Sequence, residues 1–305
     1  MDEPFRLGPP HQVRQGNLGL AKSARVRIKN LCSREMTRLN DPVTHDFEEI
    51  AYDVTEGIAT IALNRPKALN ALNNRALSEL LAAFRLAEQA PECRALVLTG
   101  RGRGFCAGQD LKEHQEHQGA AQIGDHVATY YNPLALKLYN FPKPTIAMVN
   151  GVAAGAGMSL ALAADFRVAS RNARFSQAFV KIGLVPDSGS SYLLPRLVGM
   201  ARALEMAMLG DVLDADTALQ WGLIHRLVDA EKLEEETYGL ARRLADGPPV
   251  ALSMIKESIR RGLDHNFAQS LEWERGLQSA AARTEDHANA VQAFLNKQQP
   301  MFRGR

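Results

Sequence analysis

Two segments of this chain run from strand through a glycine-bearing turn into a helix, and they constrain the fold more than any other feature. RGRGFCAGQDL (Arg101 to Leu111) follows an apolar strand ending at Thr99, and NGVAAGAGMSLALAADFRVAS (Asn150 to Ser170) follows one ending at Val149. Small residues at such junctions let the backbone come close to something. A helix starting near Ala156 would aim its unpaired N–H groups and positive dipole end at a ligand oxygen. Neither segment carries the GxxxxGK[ST] of a P-loop, and GxGxxG is absent from the first strand-helix turn. Two donors from two separate turns suit one oxygen atom rather than a phosphate, the arrangement of an oxyanion hole.

The flanking pattern agrees with an α/β fold. Ile50, Tyr52 and Val54 alternate, Glu56-Gly57 supplies a turn, and Ile58 to Leu63 resumes as a strand. Asn73-Asn74 can cap a helix presenting Leu77, Leu80, Leu81, Phe84 and Ala87 on one face. Further strands are expected at Ala95–Thr99, Thr145–Val149 and Phe166–Ala169, so strand and helix alternate to about residue 210 as in βαβ units. The apolar run Val149 to Ala164, broken by glycines and ended by Asp165, reads as a buried helix. After residue 215 the spacing turns helical over Thr217–Leu223, Ala230–Ala245, Val250–Arg261 and Phe267–Ala282. That tail is too thin to hold its own core.

Three parts are therefore expected: an Arg-rich, acid-poor extension over 1–45, a core over 46–212 and a helical region over 213–305. The extension reads either as a transit peptide or as a disordered or misassigned start. With 305 residues, 46% of them hydrophobic, the chain can bury a sizeable core without a metal or disulfide staple. Cys32, Cys93 and Cys106 show no paired spacing, which suits reduced thiols and a cytoplasmic location. The formal net charge of +2 gives no reason to expect nucleic acid, and no apolar run reaches the roughly 20 residues of a membrane helix.

Taken together, LNRPKALNAL (Leu63–Leu72), FCAGQDL (Phe105–Leu111), NGVAAGAG (Asn150–Gly157), GLVPDSG (Gly183–Gly189) and LPRLVG (Leu194–Gly199) stand in the order and spacing of the crotonase superfamily. AFLNKQQPMF (Ala293–Phe302) resembles its C-terminal end. The resemblance covers about residues 48–304. It implies a spiral of ββα turns, a C-terminal helical trimerisation region, and a homotrimer or a hexamer built from two trimers. Coenzyme A thioesters would be the substrates, with no permanently bound cofactor and no metal.

Carried over position by position, the resemblance puts the oxyanion donors on the backbone N–H groups of Gln109 and Ala156. Polarising the thioester carbonyl acidifies the α-carbon and opens enolate chemistry. The two glutamates with which the family's hydratases activate water correspond to Ser159 and Phe179, neither of which is a base. Asp187, in GLVPDSG, stands where the family's isomerases and dehalogenases keep an aspartate. Phe179, Val180, Leu184 and Val185 around it are expected to desolvate its carboxylate and raise its proton affinity, which suits a base that moves a proton between carbons. Pro186-Asp187-Ser188-Gly189 also looks like a helix start, so an N-cap role for Asp187 stands beside the catalytic one. Gln177 to Gly199 most resembles the family's isomerases of phenylacetate catabolism, with Phe179 as an apolar wall. Lys67, Ala107 and Lys112 match positions near the cofactor portion, and Lys297 is expected to contribute from the C-terminal helix.

Other features carry less. His114 and His117 lie beside Glu113 and Glu116 but lack a third metal ligand at suitable spacing. Cys106 has no partnered histidine. Tyr130 and Tyr131 either line an acyl pocket or cover the core. A hydratase, a dehalogenase-like nucleophile at Asp187, and a degenerate CoA- or RNA-binding oligomer are the alternatives to an isomerase.

Overall fold

The computed structural model describes residues 47–113 and 122–305. The extension over 1–45, with Cys32, and the stretch carrying His114, Glu116 and His117 lie outside the described residues. The chain enters through a hairpin, β1 (Ile50–Thr55) and β2 (Ile58–Leu63), whose Glu56 and Gly57 both take positive φ in the turn. Helix α1 (Asn74–Gln89) follows; the Asn73 side chain caps it by accepting from the Ala76 N–H at 2.8 Å. It buries Leu77, Leu80, Phe84 and Ala87, with Leu81 half-buried at the edge of the stripe.

Next come β3 (Ala95–Gly100) and β4 (Gly104–Cys106). Beyond them lie α2 (Ile123–His126), a π-helical turn (Val127–Tyr131) and α3 (Asn132–Tyr139). Two similar units follow: β5 (Thr145–Val149), β6 (Val152–Ala154) and α4 (Ala156–Ala163), then β7 (Phe166–Ser170), β8 (Arg174–Ser176) and a 3-10 turn (Ala178–Ile182). Each unit gives its longer strand to one sheet and its shorter strand to another. The first sheet has the order β1-β2-β3-β5-β7 and a sixth strand, β10 (Arg226–Val228); the second is β4-β6-β8 with β9 (Leu213–Asp214) beside β8. Apart from the hairpin, the first sheet is parallel throughout. Every residue of β3 and β5 is buried, as expected of parallel strands covered on both faces.

The later elements are α5 (Ser190–Val198), α6 (Met200–Leu209), β9 (Leu213–Asp214), α7 (Ala215–Gln220), β10 (Arg226–Val228), α8 (Leu233–Ala245), α9 (Pro249–Gly262), α10 (Phe267–Ala281) and α11 (Glu285–Leu295). The region over 213–305 is thus not purely helical. β9 pairs with β8, and β10 pairs with β7. The described residues from 47 to 305 group as one compact unit, undivided at 212. The run Val149–Ala164 also differs from a single buried helix: it closes β5, turns at Asn150-Gly151, adds β6 and becomes helical only at Ala156. A Cβ at Gly151 would lie 2.0 Å from the Arg103 carbonyl oxygen, so glycine is required where this corner crosses the preceding one.

Helices α9 and α10 bury none of their own residues, and Ile259, Phe267 and Phe294 are 70%, 80% and 82% exposed. Asp165 ties α9 to the sheet by accepting from Lys256 and Arg260, each at 2.8 Å, while also accepting from the Thr145 N–H and hydroxyl. Among the described residues no helix is long and apolar enough to cross a membrane.

Candidate active site

The two glycine turns meet at the C-terminal ends of β4 and β6. Gly108 has φ +94°, and a Cβ there would lie 2.9 Å from the Ala154 carbonyl oxygen and 3.6 Å from the Ala156 nitrogen. On the facing side, a Cβ at Gly157 would lie 2.2 Å from the Cys106 carbonyl oxygen. Each turn thus needs a glycine for the other to approach, the physical reason for small residues at both.

The directions of the N–H groups follow from planar trans peptides, in which N–H and the preceding C=O point opposite ways. The Gly108 carbonyl accepts from the Leu72 N–H at 2.7 Å, so the Gln109 N–H points away from Leu72. The Ala107 N–H donates to Leu69 and the Asp110 N–H to Leu72, holding the turn from both sides. The Gly155 carbonyl accepts from the Ser159 N–H at 3.0 Å inside α4, so the Ala156 N–H points out of the helix N-terminus. The dipole of α4, all eight residues of which are buried, adds positive potential there.

Charged residues pin the first turn. Arg65 pairs with Asp110 at 2.8 Å and with Glu49 at 3.0 Å, and its guanidinium also donates to the Ala71 carbonyl. Burial works to raise the Asp110 pKa, but the hydrogen bond from Arg65, the Lys112 N–H and the Arg65 charge outweigh it and hold the carboxyl below its ordinary value. Glu113 accepts from the Asn74 N–H at the start of α1 at 2.8 Å, so this carboxylate serves a helix terminus rather than a metal face. Among the described residues no cluster suited to a metal ion is present. Nothing in the spacing of Arg65, Glu49 and Asp110 foretold this network, because the three are joined only by the fold.

Ser159 and Phe179 differ in setting but share the lack of a base. The Ser159 hydroxyl donates to the Gly155 carbonyl at 3.2 Å, and the buried Phe179 ring tip is 3.9 Å from where a Cβ on Gly155 would be. Cys106 is fully buried, and burial pushes its thiol up to about 12, which removes it as a nucleophile at neutral pH.

Asp187 sits on the turn leading into α5, where Ser188 and Gly189 take φ of 52° and 83°. Gly189, not Asp187, is the N-cap of α5, and no side chain caps that helix. The Asp187 carbonyl accepts from the Ser190 N–H at 2.9 Å, while its carboxylate accepts from the Ser188 hydroxyl at 2.8 Å. The carboxyl is thus not consumed in capping. Burial raises its pKa above the ordinary value, opposed by the Ser188 hydrogen bond. The expected apolar surround is only partly present: Phe179 is buried and Leu184 half-buried, but Val180 and Val185 are exposed. Tyr131 lies within electrostatic reach of Asp187, Cys106, Asp110 and Glu113. A cavity of about 340 Å³ is lined by Ser188, Gly189, Ala135, Leu136, Ala163 and Leu193 among others, next to Asp187 in the chain but without Asp187, Gln109 or Ala156 in its wall. Larger cavities, of about 550 and 580 Å³, lie along α9 and α10 and hold none of these groups.

The lysines are less closely gathered. Lys67, in a 3-10 turn at Pro66–Ala68, and Lys112, just past the first turn, are both exposed. Lys297 is not on a helix: α11 ends at Leu295, and Lys297 takes φ 55° beyond it. The chain then leads to Phe302, whose carbonyl accepts from Arg94 just before β3, at the opposite end of that strand from the glycine turn. The departure from helix reflects the Asn296-Lys297 turn, which the run of polar residues gave no reason to place before Lys297 rather than after it.

Known proteins define the class to which the chain belongs. Residues 53–305 match the enoyl-CoA hydratase/isomerase family, so the chain belongs to that family, part of the crotonase superfamily. It is 44% identical over 261 residues to 1,2-epoxyphenylacetyl-CoA isomerase of Escherichia coli (strain K12), covering 85% of this chain and 100% of the relative. It is 43% identical over 263 residues to a probable enoyl-CoA hydratase of Rhodobacter capsulatus, covering 85% and 99%. The crystal structure of an enoyl-CoA hydratase from Bacillus anthracis superposes with a TM-score of 0.81 at 32% identity, covering 85% of this chain and 100% of that one. The chain is therefore an acyl-CoA isomerase or hydratase with the crotonase fold.

Proposed function

We propose that the protein is an acyl-CoA isomerase in which Asp187 is the single proton shuttle and the N–H groups of Gln109 and Ala156 hold the thioester oxygen. The observation that carries this reading is the content of three positions. Serine and phenylalanine replace both hydratase glutamates, while Asp187 presents a carboxylate of raised proton affinity. Asp187 takes a proton from the α-carbon, and the electron pair moves into the carbonyl to form the enolate. Each N–H donor to that oxygen is worth roughly 3 kcal/mol of barrier. The protonated Asp187 then returns its proton to the γ-carbon, shifting the double bond from the β,γ to the α,β position and regenerating the carboxylate. For 1,2-epoxyphenylacetyl-CoA, the substrate in the name of the Escherichia coli relative, the same shift acts once the epoxide has opened to the seven-membered oxepin.

In this reading Phe179 is an apolar wall of the acyl pocket, and Ala107 lies along the pantetheine path. Lys67 and Lys112 take the phosphates of coenzyme A, with Lys297 assigned to the same role. CoA arrives as part of the substrate, and no cofactor is bound permanently. The uncovered apolar residues of α9 to α11 support a homotrimer, or a hexamer of two trimers. The buried free thiols of Cys93 and Cys106 support a cytoplasmic location.

A hydratase is the second reading, favoured by the names of two relatives; it requires Asp187 to activate water alone. The test supplies the purified enzyme with 1,2-epoxyphenylacetyl-CoA, a 3-enoyl-CoA and a 2-enoyl-CoA and follows the products by chromatography and mass. Isomers of unchanged mass from the first two support the proposal. Water addition to the 2-enoyl-CoA without double-bond migration would replace it with the hydratase.

A further inference from the structure

Tyr131 closes the π-helical turn Val127–Tyr131, in which the Asn132 N–H reaches back to the Val127 carbonyl. Such widened turns recur at functional sites because they redirect one side chain out of helical register. The residue is 1% exposed, and among the described residues its hydroxyl has no hydrogen-bond partner. Its ring is held firmly. The His126 ring packs edge-on to it with centroids 5.5 Å apart, and His126 Nε2 is 2.7 Å from the Asn74 side-chain oxygen. Asn74 also donates its N–H to Glu113, so the clamp on this phenol extends to the segment that carries the first donor turn.

A buried donor without a partner is costly, and folded proteins tolerate one mainly where something else completes it. Asp187 does not, because its carboxylate accepts from Ser188 and no hydrogen bond joins it to Tyr131. The thioester oxygen does not need it, because the two backbone donors already converge there. Nor can Tyr131 serve as a base: burial, the Cys106 thiol and the nearby carboxylates of Asp187, Glu113 and Asp110 push its pKa well above the ordinary phenol value. It remains a neutral donor across the working pH range, within electrostatic reach of both the first turn and Asp187.

We propose that the Tyr131 hydroxyl is a specificity-determining donor for an oxygen carried on the acyl group itself, so that the site prefers ring-oxygenated acyl groups over plain hydrocarbon ones. This rests on the acyl-CoA reading of the same site. A hydrocarbon chain leaves the phenol unpaired, whereas an epoxide, oxepin or phenolic oxygen on the ring pairs with it. Sites built to hydrogen-bond a substrate oxygen discriminate strongly against analogues that lack it.

The test titrates phenylacetyl-CoA and 2-hydroxyphenylacetyl-CoA into the full-length wild type and Tyr131→Phe by calorimetry, and records melting of both proteins. Wild type is expected to bind the hydroxylated ring at least about tenfold more tightly, and Tyr131→Phe to bind the two alike. The variant should melt at the same or a higher temperature, since it removes an unpaired buried donor. An equal preference in both proteins, no preference in wild type, or a marked loss of stability in the variant would each overturn the proposal. If the preference is present and lost as expected but wild type does not isomerise 1,2-epoxyphenylacetyl-CoA, the donor role stands and the proposed reaction falls.

Discussion

The two halves of the proposed site, the main-chain donors and the carboxylate base, are built differently. The donor half is main chain locked into the sheets: Cys106, Gly108, Ala156 and Gly157 are all buried, and two glycines interlock where any Cβ would collide with a carbonyl. The proposed base half is one side chain on a short turn, with Ser188 and Gly189 in the left-handed region, Val185 exposed and, among the described residues, a single hydrogen bond to the carboxylate. Main-chain donors survive most substitutions and so belong to the fold. A carboxylate on a turn can be gained, lost or moved by one replacement, and therefore selects the reaction. Ser159 and Phe179 illustrate that freedom: the frame around them is intact, yet both positions lack a carboxylate.

If the donor half depends on backbone approach, the largest effect short of removing the base should come from Gly108→Ala. Its new Cβ would press on the Ala154 carbonyl and strain a φ of +94°, moving the two N–H groups apart. Turnover of a 3-enoyl-CoA should fall by about 10² to 10³ in kcat. Unchanged turnover would show that the convergence of the turns is not what stabilises the enolate.

The base half should reveal itself through pH. With the Asp187 pKa raised by burial, the acidic limb of kcat/KM is expected above the ordinary aspartate range, falling about tenfold per pH unit below it. A limb at or below the ordinary value would mean that the carboxylate is solvated or is not the base. A smaller effect concerns stability. The folded state binds the Asp187 proton more tightly than the unfolded chain, so this group's contribution is full below its unfolded pKa and is lost as pH rises through its folded pKa. Asp187→Asn should therefore melt higher than wild type at neutral pH, with the gap closing on acidification. A lower melting temperature at neutral pH would assign the side chain a structural role.

How much of this was legible in the sequence follows from the physics of each part. β3 and β5 could be read because buried parallel strands are unbroken apolar runs, and α1 because its stripe and Asn cap agree. The second sheet could not, since strands of two or three residues such as β6 and β9 are too short to show a period. β10 was hidden in the same way within a stretch that otherwise reads as helix. The start of α4 at Ala156 was visible from its glycines, and Asp187 from its motif. The Arg65–Asp110 pair and the Tyr131 hydroxyl, without a partner among the described residues, were not, because they arise from residues that only the fold brings together. Tyr130 and Tyr131 look alike in the sequence; the π turn leaves the first partly exposed and buries the second.

Whether one aspartate carries the proton is decided by comparing wild type with Asp187→Asn on a 3-enoyl-CoA, together with binding of the same acyl-CoA. Double-bond migration by wild type, a loss of about 10³-fold or more in the variant, and retained binding are expected, because the donor turns are untouched. Migration that persists at a comparable rate in Asp187→Asn would contradict it and send the search for the base elsewhere in the site.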